Sequence, residues 1–400
     1  MSLLIRNCRL IENNKLVIKN IFVKDEKIKN ISTKKFDADK IVDAKNNFVI
    51  PGLIDSHVHF REPGLTHKED FLTGSRAAAA GGITTVLDMP NTKPPTLTVK
   101  LLEEKRNLAK KSIVNYGFHF GSSIDNLKEA KEAKNIASVK VFMNASTGNM
   151  LINNDKILNS IFLNSKLVTA HAEKEMVSKA IKINKLTNNK LHFLHISLKS
   201  EIDFIKENKN KNISVEVTPH HFFLTKEIVK KLKGFAEMKP CLKTRTDKLA
   251  LWDALKNNLV DTIATDHAPH TKEEKLSSNP PSGIPGCETM LPLLLNEVNK
   301  GNLTLTKLVE LTSKNPARIF GIKNKGVLAE GYDADLTILD LKKQKIVKDG
   351  DLFTKCGWSP FNGFKLKGWP IITIVNGNIV YEEGEICNIK GREVIFERRD

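Results

Sequence analysis

The sequence predicts an α/β protein: a (β/α)8 TIM-like barrel with a small β-sandwich domain built from both chain ends. Three observations predict it. Eight short runs rich in apolar and β-branched residues lie near 47–56, 83–88, 113–120, 138–143, 166–171, 191–196, 213–219 and 261–266, with helix-compatible mixtures between most of them. Polar residues stand at the ends of five of these runs, and a barrel of this kind carries its chemistry at strand ends. Both termini hold further strand-like segments, neither set large enough for a stable sheet of its own.

Taken in order, residues 1–50 contain LLIRNCRLI, KLVIKNIFVKD and KIKNIS, which read as antiparallel β-structure and the first part of the small domain. Residues 51–325 hold the barrel. Residues 326–400 return to strand pattern in DADLTILDL, IITIVNGNIVYEEG and EVIFERR, where Asn-Gly signals a tight hairpin. The segment 278–286, SNPPSGIPG, reads as an active-site loop, because long irregular loops in compact enzymes usually serve function.

Composition sets limits. With 400 residues and 40% hydrophobic content, the chain can bury a large core and more than one structural unit. The start, MSLLIRNCRL, lacks a secretory pattern, and no apolar run reaches membrane-span length, so a cytoplasmic protein without a membrane partner is expected. Five cysteines, at 8, 241, 287, 356 and 387, are scattered with no CxxC, which points to reduced thiols. The net charge of +17 is spread along the chain without a basic-aromatic module or helix-turn-helix pattern. It argues for steering of an anionic small molecule and against a nucleic-acid partner.

Function is concentrated in DSHVHFREPG, where His57 and His59 stand two positions apart. Alternate residues of a strand share a face, so both rings and Arg61 are expected on one side. Converging neutral imidazoles suit zinc and similar ions, although an isolated HxH reads equally as two surface histidines. Lys140 in SVKVFM, His171 in KLVTAHAE, His195 in LHFLHIS and Asp266 in DTIATDHAPH end later runs. His67, His119 and His192 read as surface or packing residues, and His267 as structural.

The segments DSHVHFREPGLTHKEDF, ITTVLDMPNT, VKVFMNASTG, VTAHAE, LHFLHIS, VEVTPHHFFLT, IATDHAPHT and IPGCET run from Asp55 to Thr289. Together they resemble the dihydroorotases of the amidohydrolase superfamily. With NPARIFGI and EGYDADLTILD, the resemblance covers nearly the whole chain. It implies a metal-dependent cyclic amide hydrolase, interconverting N-carbamoyl-L-aspartate and L-dihydroorotate in pyrimidine synthesis. It also implies two divalent ions, zinc being expected, held by His57, His59, His171, His195 and Asp266. Lys140 would bridge them as a carbamate formed with carbon dioxide, because an ammonium cannot ligate a cation.

Asp266 is expected to act as general base and then general acid. The matches HFREPG, DMPNT and DHAPH assign substrate binding to Arg61, Asn91 and His270. An arginine fork grips a carboxylate in a way lysine cannot copy. His220 in TPHH, with Ile284, Pro285 and Gly286 of the loop, would support the site. In MKPCLKT the resemblance leads one to expect asparagine where Lys239 stands, a departure that leaves this contact open. Two rivals remain: an allantoinase or hydantoinase, which should lack the arginine clamp, and an inactive homologue serving as a binding partner, which should have lost ligand positions. The partner expected is a small-molecule substrate, and a homodimer is the assembly considered.

Overall fold

Strands Leu53–Val58, Ile83–Asp88, Val139–Phe142 and Leu167–His171 are buried along their full length, as parallel strands covered on both faces must be. This is why their sequences read as near-continuous apolar runs. The computed structural model describes residues 2–12, 15–145 and 150–397; the STG turn after Lys140 lies outside the described residues.

The barrel strands pair in parallel in chain order. Leu53–Val58 pairs with Ile83–Asp88, and that with Asn115–Phe118. Val139–Phe142, Leu167–His171, Lys190–Phe193, Ile213–Val217 and Thr262–Ile263 follow. The third expected run, 113–120, is split at His119: Asn115–Phe118 pairs backward, whereas Phe120–Gly121 pairs forward with Val139 and Lys140. The eighth is only Thr262–Ile263. Closure comes instead from a Val58–His267 bridge and a 2.8 Å bond from the His59 N–H to the His267 carbonyl. Asp55 adds to it by accepting from the Thr265 N–H at 3.0 Å and the Thr265 hydroxyl at 2.5 Å.

The chain ends build a nine-stranded sheet, in which Leu336–Ile346 joins Phe48–Pro51 across the two ends. It is one continuous hydrogen-bonded sheet around a core that includes Leu3, Ile5, Ile21, Val49, Leu336 and Ile374. Its first strand, Ser2–Glu12, shifts register between Ile5 and Cys8. Three positions apart in a regular strand, these two would face opposite ways; a bulge at Asn7, with φ +56°, keeps Cys8 and Leu10 in the same core as Leu3 and Ile5. Not all of the N-terminal pairing is antiparallel: Lys40–Asp43 and Phe48–Pro51 run parallel to Ser2–Glu12, because the stretch after Ser32 carries the chain back before it pairs again. Asn376 and Gly377, both at positive φ, make the hairpin between Lys365–Val375 and Asn378–Glu382, as the Asn-Gly dipeptide predicted.

Two parts of the C-terminal region leave this sheet. Residues 391–396 pair with the barrel near Tyr116 and Ile322. Residues 349–361 pack over the loops at the C-terminal ends of the barrel strands, where Trp358 and Phe361 share a core with Met238 and Ile284. That strap is tied down by acidic side chains: the partly buried Glu288 accepts from the Phe353 and Thr354 N–H groups and the buried Glu69 from the Lys355 N–H. Among the described residues no helix is long and apolar enough to cross a membrane.

Burial pushes the Glu288 pKa up from 4.5 to about 8. The folded state thus keeps a proton that the unfolded chain releases. The stability this lends is complete below the unfolded value and lost as pH rises through the folded one. Glu288→Gln is expected to match wild type in Tm at pH 5 and exceed it by about 2–4 °C at pH 9. An equal difference at both pH values in thermal melts would contradict the assignment.

Candidate active site and metal centre

The first barrel strand ends at Val58, so His57 lies within it and His59 beyond it. The rings still converge, with centroids 5.3 Å apart. Both Nε2 atoms face one oxygen of Asp266, at 3.2 Å from His57 and 3.0 Å from His59. Arg61 is not an extension of the strand: its φ is +65°. His195 and Asp266 share this left-handed backbone, with φ of +39° and +48°. At non-glycine residues it costs about 1–2 kcal/mol each, and surrounding bonds hold it in place. The Phe60 N–H, just before Arg61, donates to Asp88 at 2.7 Å, and Asp88 is ion-paired with the buried Lys105 at 2.5 Å.

One cavity is lined by His57, His59, Arg61, Asn91, Lys140, Phe142, His171, His195, Lys239, Asp266, Ala268, Ser282 and Gly283. His57 Nδ1–H donates to Glu216 at 2.8 Å and His59 Nδ1–H to the Asn91 side-chain oxygen at 2.7 Å. With Nδ1 of each ring committed as a donor, each Nε2 is left toward the same carboxylate oxygen. Lone pairs facing a carboxylate repel unless a cation or proton stands between them. On the other wall His171 Nδ1 and His195 Nε2 are 2.9 Å apart, and the buried His195 Nδ1 has no hydrogen-bond partner. These donors fit a divalent-metal centre; the ligand atoms of His57, His59 and Asp266 lie within 4.8 Å of one another.

Protonation follows the same geometry. Burial lowers the pKa of His59 to about 4 and drives that of His195 well below the ordinary value, leaving neutral rings able to ligate. Burial also acts on His57, but Asp266 and Glu216 outweigh it and raise its pKa. Burial would raise Asp266, yet His57 and His59 hold it well below the carboxylate range. Lys140, 1% exposed, has its pKa pressed down to about 7 by burial, partly opposed by Asp266 and Glu216. Its Nζ lies 4.4 Å from the Phe142 ring centroid.

At the Arg61 end of the cavity, Arg61 Nε donates to the Pro269 carbonyl at 3.0 Å and its Nη2 lies 3.0 Å from His270 Nε2. His270 itself is buried and does not line the cavity. It sits behind Arg61, its Nε2 2.9 Å from the Ser282 carbonyl and its Nδ1 3.0 Å from the Lys68 ammonium. Asn91 reaches the cavity and also orients His59. In the 278–286 loop the cavity-facing residues are Ser282 and Gly283; Ile284 is packed in the core beneath. Pro285 and Gly286 are turned away, next to His267, because His267 Nδ1 accepts from the Gly286 N–H at 3.1 Å.

His220 lies outside the cavity lining. Its Nε2 is 2.9 Å from the Thr218 hydroxyl, which also lies 2.7 Å from His221 Nδ1, and His221 Nε2 donates to the Pro240 carbonyl at 3.1 Å. This chain braces the segment that brings Lys239 to the cavity. His119 and His192 are fully buried and hydrogen-bonded to Ser138 and Ser214, while His67 is exposed, with 57% of its side chain accessible. The sequence reading missed Glu216, which contacts His57 and lies 3.3 Å from the His195 N–H. Its signal was an acidic residue between the buried valines of VEV.

A family model described as the amidohydrolase family matches residues 48–380. The dihydroorotase of Methanosphaera stadtmanae is 40% identical, the match covering 96% of this chain and 97% of that one. That of Pyrococcus abyssi is 39% identical over 98% of each chain. Among solved structures, the L-hydantoinase from Arthrobacter aurescens superposes with a TM-score of 0.93 at 29% identity, covering 98% of this chain and 99% of its own.

Glu216→Gln is expected to weaken divalent-ion binding by about 10–100-fold, because the carboxylate behind a ligating imidazole fixes its orientation and basicity. Metal titration of the stripped protein reads this. Wild-type affinity would remove Glu216 from the centre.

Proposed function

The chain belongs to the amidohydrolase family, and within it we propose a dihydroorotase that interconverts N-carbamoyl-L-aspartate and L-dihydroorotate. The observation that carries this reading is the buried Arg61 guanidinium in a cavity shared with Asp266 and Lys239. A cationic wall suits a ring bearing a carboxylate. The relatives named dihydroorotase, matched over nearly their full length, support the same reading. The likeness to a hydantoinase keeps a neutral cyclic amide as the second reading, and Arg61 weighs against it.

Two divalent ions, zinc being our assignment, held by His57, His59, His171, His195, Asp266 and a carboxylated Lys140, would polarise the ring carbonyl and acidify a water. Arg61 binds the substrate carboxylate, Asn91 fixes the His59 ring, and Lys239 offers a further donor toward the ring oxygens. In hydrolysis water adds to the ring carbonyl carbon and the bond from that carbon to the ring nitrogen breaks. Asp266 takes the proton from the water and returns it to the departing nitrogen. Synthesis runs the steps in reverse. Lys140 is suited to carboxylation because its lowered pKa leaves much of it as free amine at neutral pH, the form that adds carbon dioxide.

Arg61→Lys is expected to keep its metal yet lose about tenfold or more in kcat/KM, since a charged hydrogen bond contributes about 1.5–3 kcal/mol. Turnover near wild type would take Arg61 out of substrate binding. Lys140→Ala should bind metal poorly and be nearly inactive, with part of the activity restored by a short carboxylic acid that occupies the vacated position. A crystal structure with two ions bound and an unmodified Lys140 turned away from them would end the carbamate assignment.

A further inference from the structure

Beneath the substrate-facing loop lies a cation that the proposed chemistry does not use. Lys275 is 1% exposed. Its Nζ donates to three backbone carbonyls, of Glu237 at 2.8 Å, Pro281 at 2.8 Å and Gly283 at 2.9 Å. Three acceptors require three N–H donors, which only the ammonium form supplies. Burial presses its pKa down to about 7; the carbonyls, together with the Trp358 ring 5.7 Å away, offset the cost of holding a charge there.

The three carbonyls belong to two stretches that both reach the cavity. Gly283 and its neighbour Ser282 line it, and Glu237 stands two residues before Lys239, which lines it as well. Further bonds join the same pieces: the Gly283 N–H donates to the Glu237 carbonyl at 3.0 Å, and the Ser282 hydroxyl to the Glu237 carboxylate at 3.2 Å. There is no slack at this point. Gly283 has φ +136°, and a Cβ there would lie 2.4 Å from the Ala268 carbonyl oxygen. Lys275 is itself fixed by the helix Lys272–Leu276, capped by Thr271 immediately after His270.

We propose that Lys275 is a positioning residue: its buried ammonium clamps the Ser282–Gly283 loop to the segment bearing Lys239 and so sets the width of the substrate cavity. The kinetic part of this inference rests on the function proposed above; the clamp itself does not.

Lys275→Met is nearly isosteric and donates nothing. In the metal-loaded full-length enzyme it is expected to raise KM for dihydroorotate by about tenfold or more, with kcat changed less than about threefold and metal content unchanged. Hydrogen exchange in residues 277–286 should accelerate. Lys275→Arg, which keeps charge and donors, should fall between the two in both readouts. A purely structural lysine would lower Tm and leave KM and loop exchange alone, and that result in a folded variant would overturn the proposal. Should the methionine variant fail to fold, Lys275→Gln, which keeps an amide donor but loses the charge, decides: a raised KM with faster loop exchange supports the clamp, and wild-type values of both overturn it. If the wild type does not turn over dihydroorotate, the assigned function fails while the exchange comparison still tests the clamp.

Discussion

Glu216, fully buried, and Asp266, partly exposed at the cavity, are set among imidazoles and a lysine, and that arrangement governs the rest of the structure. Carboxylates out of water must be paired or they neutralise. Glu216 is held at a pKa of about 2 by the histidines around it, against the pull of burial. Through His57 it is joined to Asp266. The proton-rich partners that would otherwise balance these charges have been made neutral by burial, as at His59 and His195. Where the Nε2 atoms of His57 and His59 face one oxygen of Asp266, a cation held between them completes the pairing, which is the electrostatic description of a metal site.

The fold is organised to keep those groups in register. Asp55 ties the first strand to the eighth, Asp88 ties the turn before Arg61 to the second, and Glu216 spans the first and sixth through His57 and His195. The left-handed backbone at Arg61, His195 and Asp266 is the strain that accompanies this convergence. From outside the barrel the 349–361 strap covers the loops, with Trp358 Nε1 donating to the His270 carbonyl at 2.7 Å.

Much of this was legible in the sequence because the barrel strands are buried on both faces and read as apolar runs with the polar residues of the cavity at or near their ends. His57, His59, Lys140, His171, His195 and Asp266 each interrupt an apolar run, and all six line one cavity. What was not legible depends on distance across the fold. The part His270 plays behind Arg61, the inward turn of Ser282 and Gly283 ahead of Ile284, and the placement of the 349–361 strap are set by tertiary bonds between residues far apart in sequence. In the N-terminal segment the antiparallel pairing of the first three strands was legible, whereas the parallel pairing of Lys40–Asp43 was not, because it depends on how the chain returns. Lys275 carried no signal, since a lysine in KEEKL reads as a solvated helix face.

In the proposed function this charge arrangement holds two divalent ions, and Arg61 selects a ring bearing a carboxylate. The measurement that bears on it most directly is metal content per chain, taken on the same preparation as the hydrolysis rates of dihydroorotate, hydantoin and dihydrouracil. The account predicts two ions per chain and hydrolysis of dihydroorotate with a kcat/KM far above that of either neutral ring. A metal-loaded enzyme that hydrolyses hydantoin or dihydrouracil as efficiently as dihydroorotate would contradict it.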